Sequence, residues 1–591
     1  MSAIEMKFGF VLLCSISAWA AAPSPVADAA MKRDQAAVRT LLSQRADVNA
    51  PQADGATALQ WAVYNNDPAM ADLLIAGGAN VKAANRDGAT PLFLACESGN
   101  AEIIGKLLKA GADANEIGAV GDTPLMMASR TGNVSAVKVL LDNRADVNAK
   151  EKIRGTTALM WAIEQQHPAV VKLLVDRGAD VAAITTSAKV QTTAYLAPQV
   201  RLRTTPAGAP AAGAAGGVAG AAGGRGGRGG TRSAAEVRAT DSPTDAEGAA
   251  SFFSGPPNDK GGNLTPLVYA ARENCLECAK ILLDAKANIN QTTKYGWSPL
   301  LTATQNRHYQ LASFLLDHGA NPNISNNGGW SPLYIATDNR NIEGGDYPVR
   351  PADMDHLEYI KLLLDKGADV NGRVCGVKST PTVCSGDSTE TRTIFTNQWL
   401  YEDGATAFVR AAQSGDVVLM KLLLARGADP KIATAHNVTA LATASGIGWV
   451  EGITFEWSEA ENMEAVKMCL DLGIDVNAVD SDGRTALHGA AHKGRVPVIQ
   501  ALVDHNAKLD AHDYGSRDTT NPNQKKYGYT WQPVEYADGV VRVGVQSSIA
   551  HPEAAALLRK LMKERGLNVP AVANTTICIV DVCKGEDSPK Q

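Results

Sequence analysis

The chain has 591 residues, of which 45% are hydrophobic and only 5% aromatic, and it carries 54 glycines. Its formal net charge of −6 excludes a general electrostatic hold on nucleic acid or anionic lipid. That length admits either several domains or one long array.

At the N-terminus, Lys7 precedes an apolar run from Phe8 to Trp19, and small residues Ala18 and Ala20 flank Trp19. This pattern predicts a signal peptide over residues 1–20 and an exported mature chain, periplasmic or extracellular. The run is too short to span a bilayer, and no later stretch reaches eighteen apolar residues, so no membrane span is expected. Cys14 leaves with the signal. Cys96, Cys275, Cys278, Cys375, Cys384, Cys469, Cys578 and Cys583 remain, an even set that permits disulfides outside the cytoplasm.

From Ser24 onward one phrase recurs. "GATALQWAVYNND", "GATPLFLACESGN" and "GDTPLMMASRTGN" follow one another at 33-residue steps. Each unit reads as two short helices. A Thr or Ser opens the first, often followed by Pro, as at Thr90-Pro91, Thr123-Pro124, Thr265-Pro266, Ser298-Pro299 and Ser331-Pro332. The second carries a "V-x-x-L-L" stripe and ends at a glycine such as Gly77-Gly78, Gly111 or Gly178. An "A-D/N-x-N" turn follows.

The period and the "T-P-L-H-x-A"-like phrase resemble the ankyrin repeat. The first-helix anchors are Val26, Leu59, Leu92, Leu125, Leu159, Leu267, Leu300, Leu333, Phe408, Leu441, Leu487 and Val534. The resemblance covers twelve units from about Ser24 to Pro570. It implies an all-α solenoid of stacked helix pairs, with β-turn fingers projecting to one side. It also implies a non-catalytic scaffold that binds a protein through fingers and concave face. Repeats touch only their neighbours, which gives a long surface and no deep pocket.

Five regular repeats are expected over residues 21–184. The step from Ala179 to Ala287 is then 108 residues, and residues 185–261 contain "PAGAPAAGAAGGVAGAAGGRGGRGGTR". That Gly/Ala composition predicts a disordered linker. Arg201, Arg203, Arg225, Arg228 and Arg232 make it basic, but it lacks interleaved aromatics and is assigned as a solvated linker. Seven further repeats are expected over 262–570, interrupted by inserts at 341–356, 372–403, 448–461, 513–530 and 538–551. The first, third and fifth fall between the two helices of a repeat, and the others fall in fingers. A tail, 571–591, closes the chain. Long inserts without structure of their own are often functional.

There is no G-x-S-x-G elbow and no H-E-x-x-H, and "GRGGRGGT" from Gly224 has glycine where a phosphate-binding loop needs lysine. No catalytic residue, metal site or cofactor is expected. His488 and His492 stand four apart, but the resemblance gives His488 a turn-bonding role and leaves His492 solvated. Cys275-Leu-Glu-Cys278 is a CxxC with no thioredoxin-like pattern around it. Cys278 falls on the apolar stripe, and Cys96 and Cys469 also read as buried thiols. Cys375 with Cys384, and Cys578 with Cys583, are the candidate local disulfides. Trp61 and Trp161 lie inside first helices and are assigned to packing. Trp297 and Trp330 follow the finger glycine in "YGWSPL" and "GGWSPL", and Tyr295 stands beside them. These three aromatics are the candidate partner contacts. The same platform would suit a glycan or cell-envelope polymer, which is the alternative reading. A third, remote reading is an enzyme built from the inserts.

Overall fold

The computed structural model describes residues 24–118, 121–186, 262–341, 351–374, 404–449, 455–514, 530–539 and 549–571. The expected signal peptide, most of the Gly/Ala-rich linker and the tail lie outside these residues, as do Cys375, Cys384, Cys578 and Cys583. The described residues contain twelve helix pairs, from Pro25–Met31 with Gln35–Ser43 to Pro533–Ala537 with Pro552–Glu564. First helices run five to nine residues and second helices nine to thirteen. No strand occurs among them, only an isolated bridge between Arg373 and Thr406. The fold is an all-α solenoid of the expected kind.

Local chemistry explains each pair. In most pairs the first helix opens on a Thr or Ser hydroxyl that accepts a backbone N–H three residues on, at 3.3 Å from Phe93 to Thr90 and 3.1 Å from Leu301 to Ser298. Half of the second helices open on an Asp or Asn, as Asp67 accepts from Met70 N at 2.9 Å and Asn100 from Ile103 N at 3.0 Å. The second helix ends on a residue in the left-handed region, Gly78 at φ 85° for example, where a β-carbon would be strained. All twelve first-helix anchors are at most 2% exposed. They form the core between each first helix, its own second helix and the first helix of the neighbouring repeat.

The recurring Asn of the turn phrase ties one repeat to the next. Asn148 Nδ2 donates to Gly178 O at 3.1 Å, while its Oδ1 accepts from Asp180 N at 2.8 Å. Asn49, Asn115, Asn323, Asn371 and Asn477 make the same paired contacts in their repeats. Fingers are joined by main-chain bonds, such as Arg86 N to Asp54 O at 3.1 Å and Asn327 N to Tyr295 O at 2.9 Å.

The chain divides into two compact units. One comprises the first five repeats together with residues 265–287, and the other runs from Asn288 onward. Five repeats precede the Gly/Ala-rich stretch and seven follow it, and the first of those seven belongs to the compact unit of the first five. The sixth repeat, with helices Pro266–Arg272 and Leu276–Asp284, packs on the fifth, Ala158–Glu164 and Pro168–Asp176. Arg272 Nη2 lies 3.4 Å from Glu164 Oε1 across that junction, and Gln166 donates to Glu273 O. An insert in a connection leaves the packing faces of both repeats intact. Closing the longer loop costs only about 2 kcal/mol more than closing a short one.

Candidate interaction surface

The residue two after each anchor recurs as a row along the first helices of each unit, and its environment differs between the two units. In the first unit this row reads Trp61, Leu94, Met127 and Trp161 in successive repeats, and all four are half-buried. The indole N–H of Trp61 donates to Gln52 Oε1 at 2.6 Å, and that of Trp161 to Thr156 Oγ1 at 2.8 Å. Both rings are thus fixed at the base of a finger. The row five after the anchor runs alongside: Tyr64, 71% exposed, then Glu97, Arg130, Glu164 and Arg272. Tyr64 meets Trp61 edge-on at 5.6 Å, and the Arg130 guanidinium stands 5.8 Å from the Trp161 ring centre. Tyr269, at the equivalent place in the sixth repeat, lies under Arg272 at 4.5 Å and is buried. Burial raises its phenol pKa.

In the second unit the same row is closed. Thr302, Ile335, Arg410, Thr443, Gly489 and Tyr536 are all buried. Arg410 Nε donates to Asp338 at 2.7 Å, and its other nitrogens bond Ser414 Oγ at 2.9 Å and Asn341 O at 3.0 Å. Arg340 pairs with Asp416 at 2.7 Å. The described end of the insert in the tenth repeat straps this face. Trp457 N donates to Ser414 O at 3.2 Å, and its indole to Asn341 Oδ1 at 2.9 Å. Arg340 stacks on its ring at 4.4 Å. The neighbouring Glu456 contacts Lys493 and lies 3.1 Å from Arg495 Nη2. Two residues of insert, Glu456 and Trp457, therefore hold repeats eight, nine and eleven. Burial lowers the Lys493 pKa, while the carboxylate resting on it favours the charge.

The finger aromatics separate. Tyr295 and Trp297 are half-buried, but Trp330 is 1% exposed and packs edge-on against Tyr334 at 5.0 Å. Trp330 is therefore withdrawn as a surface contact: its ring fills the space beside its own first helix. His488 has the turn-bonding role. Its Nδ1 accepts from Thr485 N at 3.0 Å, so Nε2 carries the proton it shares with Trp531 O at 3.1 Å. Burial drives its pKa down to about 3. His492 corrects a second expectation. It is buried, with Trp449 and Tyr536 each edge-on at 6.4 Å, because this face of the second unit is covered. Among the described residues no cluster of three metal-ligating side chains occurs, and no helix is long and apolar enough to cross a membrane. Cys96 and Cys469 are buried free thiols, as expected, whereas Cys275 and Cys278 are joined as a disulfide.

Trp61 and Trp161, assigned to packing, share a row with Leu94 and Met127. Its signal was their common offset from the anchors.

Family models described as ankyrin repeats match residues 26–118, 106–185, 248–326, 267–374 and 458–503, and a single-repeat model matches 403–435. A 45-residue stretch is 51% identical to Acyl-CoA-binding domain-containing protein 1 of Arabidopsis thaliana, covering 8% of this chain and 13% of that protein. A 52-residue stretch is 44% identical to Serine/threonine-protein kinase 12 of the same plant, covering 9% and 11%. The chain thus spans only a small part of these relatives. The crystal structure of the human ASB11 ankyrin repeat domain matches with a TM-score of 0.32 at 23% identity, covering 48% of this chain and 92% of that one.

Proposed function

Because the chain belongs to the ankyrin-repeat family, we propose that it is a non-catalytic scaffold whose first unit binds an extended segment of a partner protein. The open row of Trp61, Leu94, Met127 and Trp161 carries this reading. Stacked helices lie about 8–10 Å apart. A partner segment in the extended polyproline II conformation advances about 3.1 Å per residue with three residues per turn, so every third side chain faces the same way and meets the next rung. Glu97, Arg130, Glu164 and Arg272 alternate in sign beside the row and would fix the register. The buried row of the second unit offers no such ladder. The glycan reading rested on three finger aromatics, and the burial of Trp330 leaves it two.

The test is a selection of displayed peptides against the full chain, followed by titration of those selected. Peptides with apolar residues three apart are expected. Trp61→Ala with Trp161→Ala should weaken them by about 2–4 kcal/mol, and Trp297→Ala should leave them unchanged. Selected peptides that ignore the double substitution would defeat the proposal.

A further inference from the structure

The pair Cys275 and Cys278 stands apart from the other described cysteines. Cys96 and Cys469 lie inside helices, and burial raises both thiol pKa values, that of Cys469 to about 12. Both are therefore poor nucleophiles at neutral pH. Cys275 instead caps the nine-residue helix Leu276–Asp284, and Cys278 is that helix's third residue. Their Cα atoms are 5.2 Å apart and their sulfurs are bonded.

The capping position gives this bond its chemistry. Other second helices place Asp34, Asp67, Asn100, Asn133 or Asp416 there, each accepting a first-turn N–H. In the sixth repeat the acceptor is sulfur: Cys278 N lies 3.3 Å from Cys275 Sγ. Helix N-termini stabilise negative charge, so a reduced Cys275 is held toward its thiolate. The two sulfurs also differ in access. Cys275 keeps 6% of its surface in solvent and Cys278 keeps none.

We propose that Cys275–Cys278 is a reversible thiol–disulfide site that exchanges with an external dithiol through Cys275. A thiolate of the donor attacks Cys275 Sγ, the bond to Cys278 breaks, and Cys278 leaves with the electron pair. The donor's second thiol then displaces Cys275 from the mixed disulfide. The protein disulfide becomes two thiols, the donor dithiol becomes a disulfide, and the donor's two protons end on Cys275 and Cys278. The helix keeps a cap in both states, so opening the bond leaves the repeat folded.

The experiment uses the full chain, dithiothreitol and oxidised glutathione as probes, and iodoacetamide labelling resolved by peptide mass spectrometry. Before reduction neither cysteine should label. After mild reduction Cys275 should label about tenfold faster than Cys96 or Cys469, with a pH midpoint below about 8.5. Oxidised glutathione should close the pair again. Cys275→Asp, which restores the cap used elsewhere, should melt within a few degrees of the parent. A disulfide that opens only when the chain unfolds would overturn the proposal. So would a pair that stays open in oxidised glutathione, or a Cys275→Asp chain whose sixth repeat loses its fold.

Discussion

Trp297 and Trp330 occupy the same place in consecutive repeats, yet one ring is half-buried and the other almost wholly buried. A position within the phrase therefore does not fix its environment, because the neighbours differ. Trp330 has Tyr334 against its ring, one turn into its own helix. Truncating a buried tryptophan removes its transfer energy and leaves a cavity. Trp330→Ala should therefore cost about 3–5 kcal/mol. Trp297→Ala should cost about 1 kcal/mol or less, as surface substitutions do. Denaturant melts of the two variants measure both, and equal losses would show that Trp297 is a core residue too. The sequence showed that both were finger aromatics. The shared phrase alone could not show which one the fold covers; four residues on, Trp330 has Tyr334 where Trp297 has Leu301.

The helix pair was legible down to its caps, since Thr-Pro at the start, the apolar stripe and the terminal glycine each have a local physical reason. The strap from Phe455 to Ser458 was not. Its partners Asn341, Ser414 and Lys493 are scattered along the sequence and follow no period. One position within the pair makes a sharp prediction. His488 follows its anchor directly, as Gln60 does in the second repeat. Gln60 accepts from Thr57 N at 2.8 Å and donates to Ala89 O at 2.7 Å, much as His488 bonds Thr485 and Trp531. A second proton on His488 would face the Thr485 N–H, and burial opposes the charge as well. Its folded pKa of about 3 lies below the unfolded value of about 6.5. The unfolded chain thus binds the extra proton between those values. The stability this supplies is complete above about pH 6.5 and is lost as pH falls toward 3. The loss by pH 4 is on the order of 3 kcal/mol. His356, lowered by burial to about 4, acts in the same direction. Hydrogen exchange across Ala486–His492 should therefore speed up steeply between pH 6.5 and 4 beyond the intrinsic pH dependence. His488→Gln should flatten that dependence while keeping the bonds that Gln60 makes. An unchanged pH slope in the variant would remove His488 as the cause.

At the scale of the molecule, the twelve-fold period gave the number of helix pairs and left open whether the blocks on either side of the Gly/Ala-rich stretch dock. A break in composition is not by itself a break in packing. Packing follows the surfaces that repeats present, and the sixth repeat presents Leu267, Ala270, Ala271, Cys278 and Leu282 as buried core. It packs on the fifth as any repeat packs on its predecessor. The step from Ala179 to Ala287 is 108 residues, and residues 187–261 number 75, so removing them leaves the regular 33. The shortened chain would cross from the fifth repeat to the sixth through a finger of ordinary length. It should fold with the sixth repeat in place, and the shorter loop should raise stability by about 2 kcal/mol. Exchange protection in Leu276–Asp284, compared between the full and shortened chains, decides the matter. Retained protection at Leu282 means that the stack is continuous by its own side chains. Lost protection, with the first five repeats still intact, would mean that residues 187–261 contribute to holding the sixth repeat where it lies.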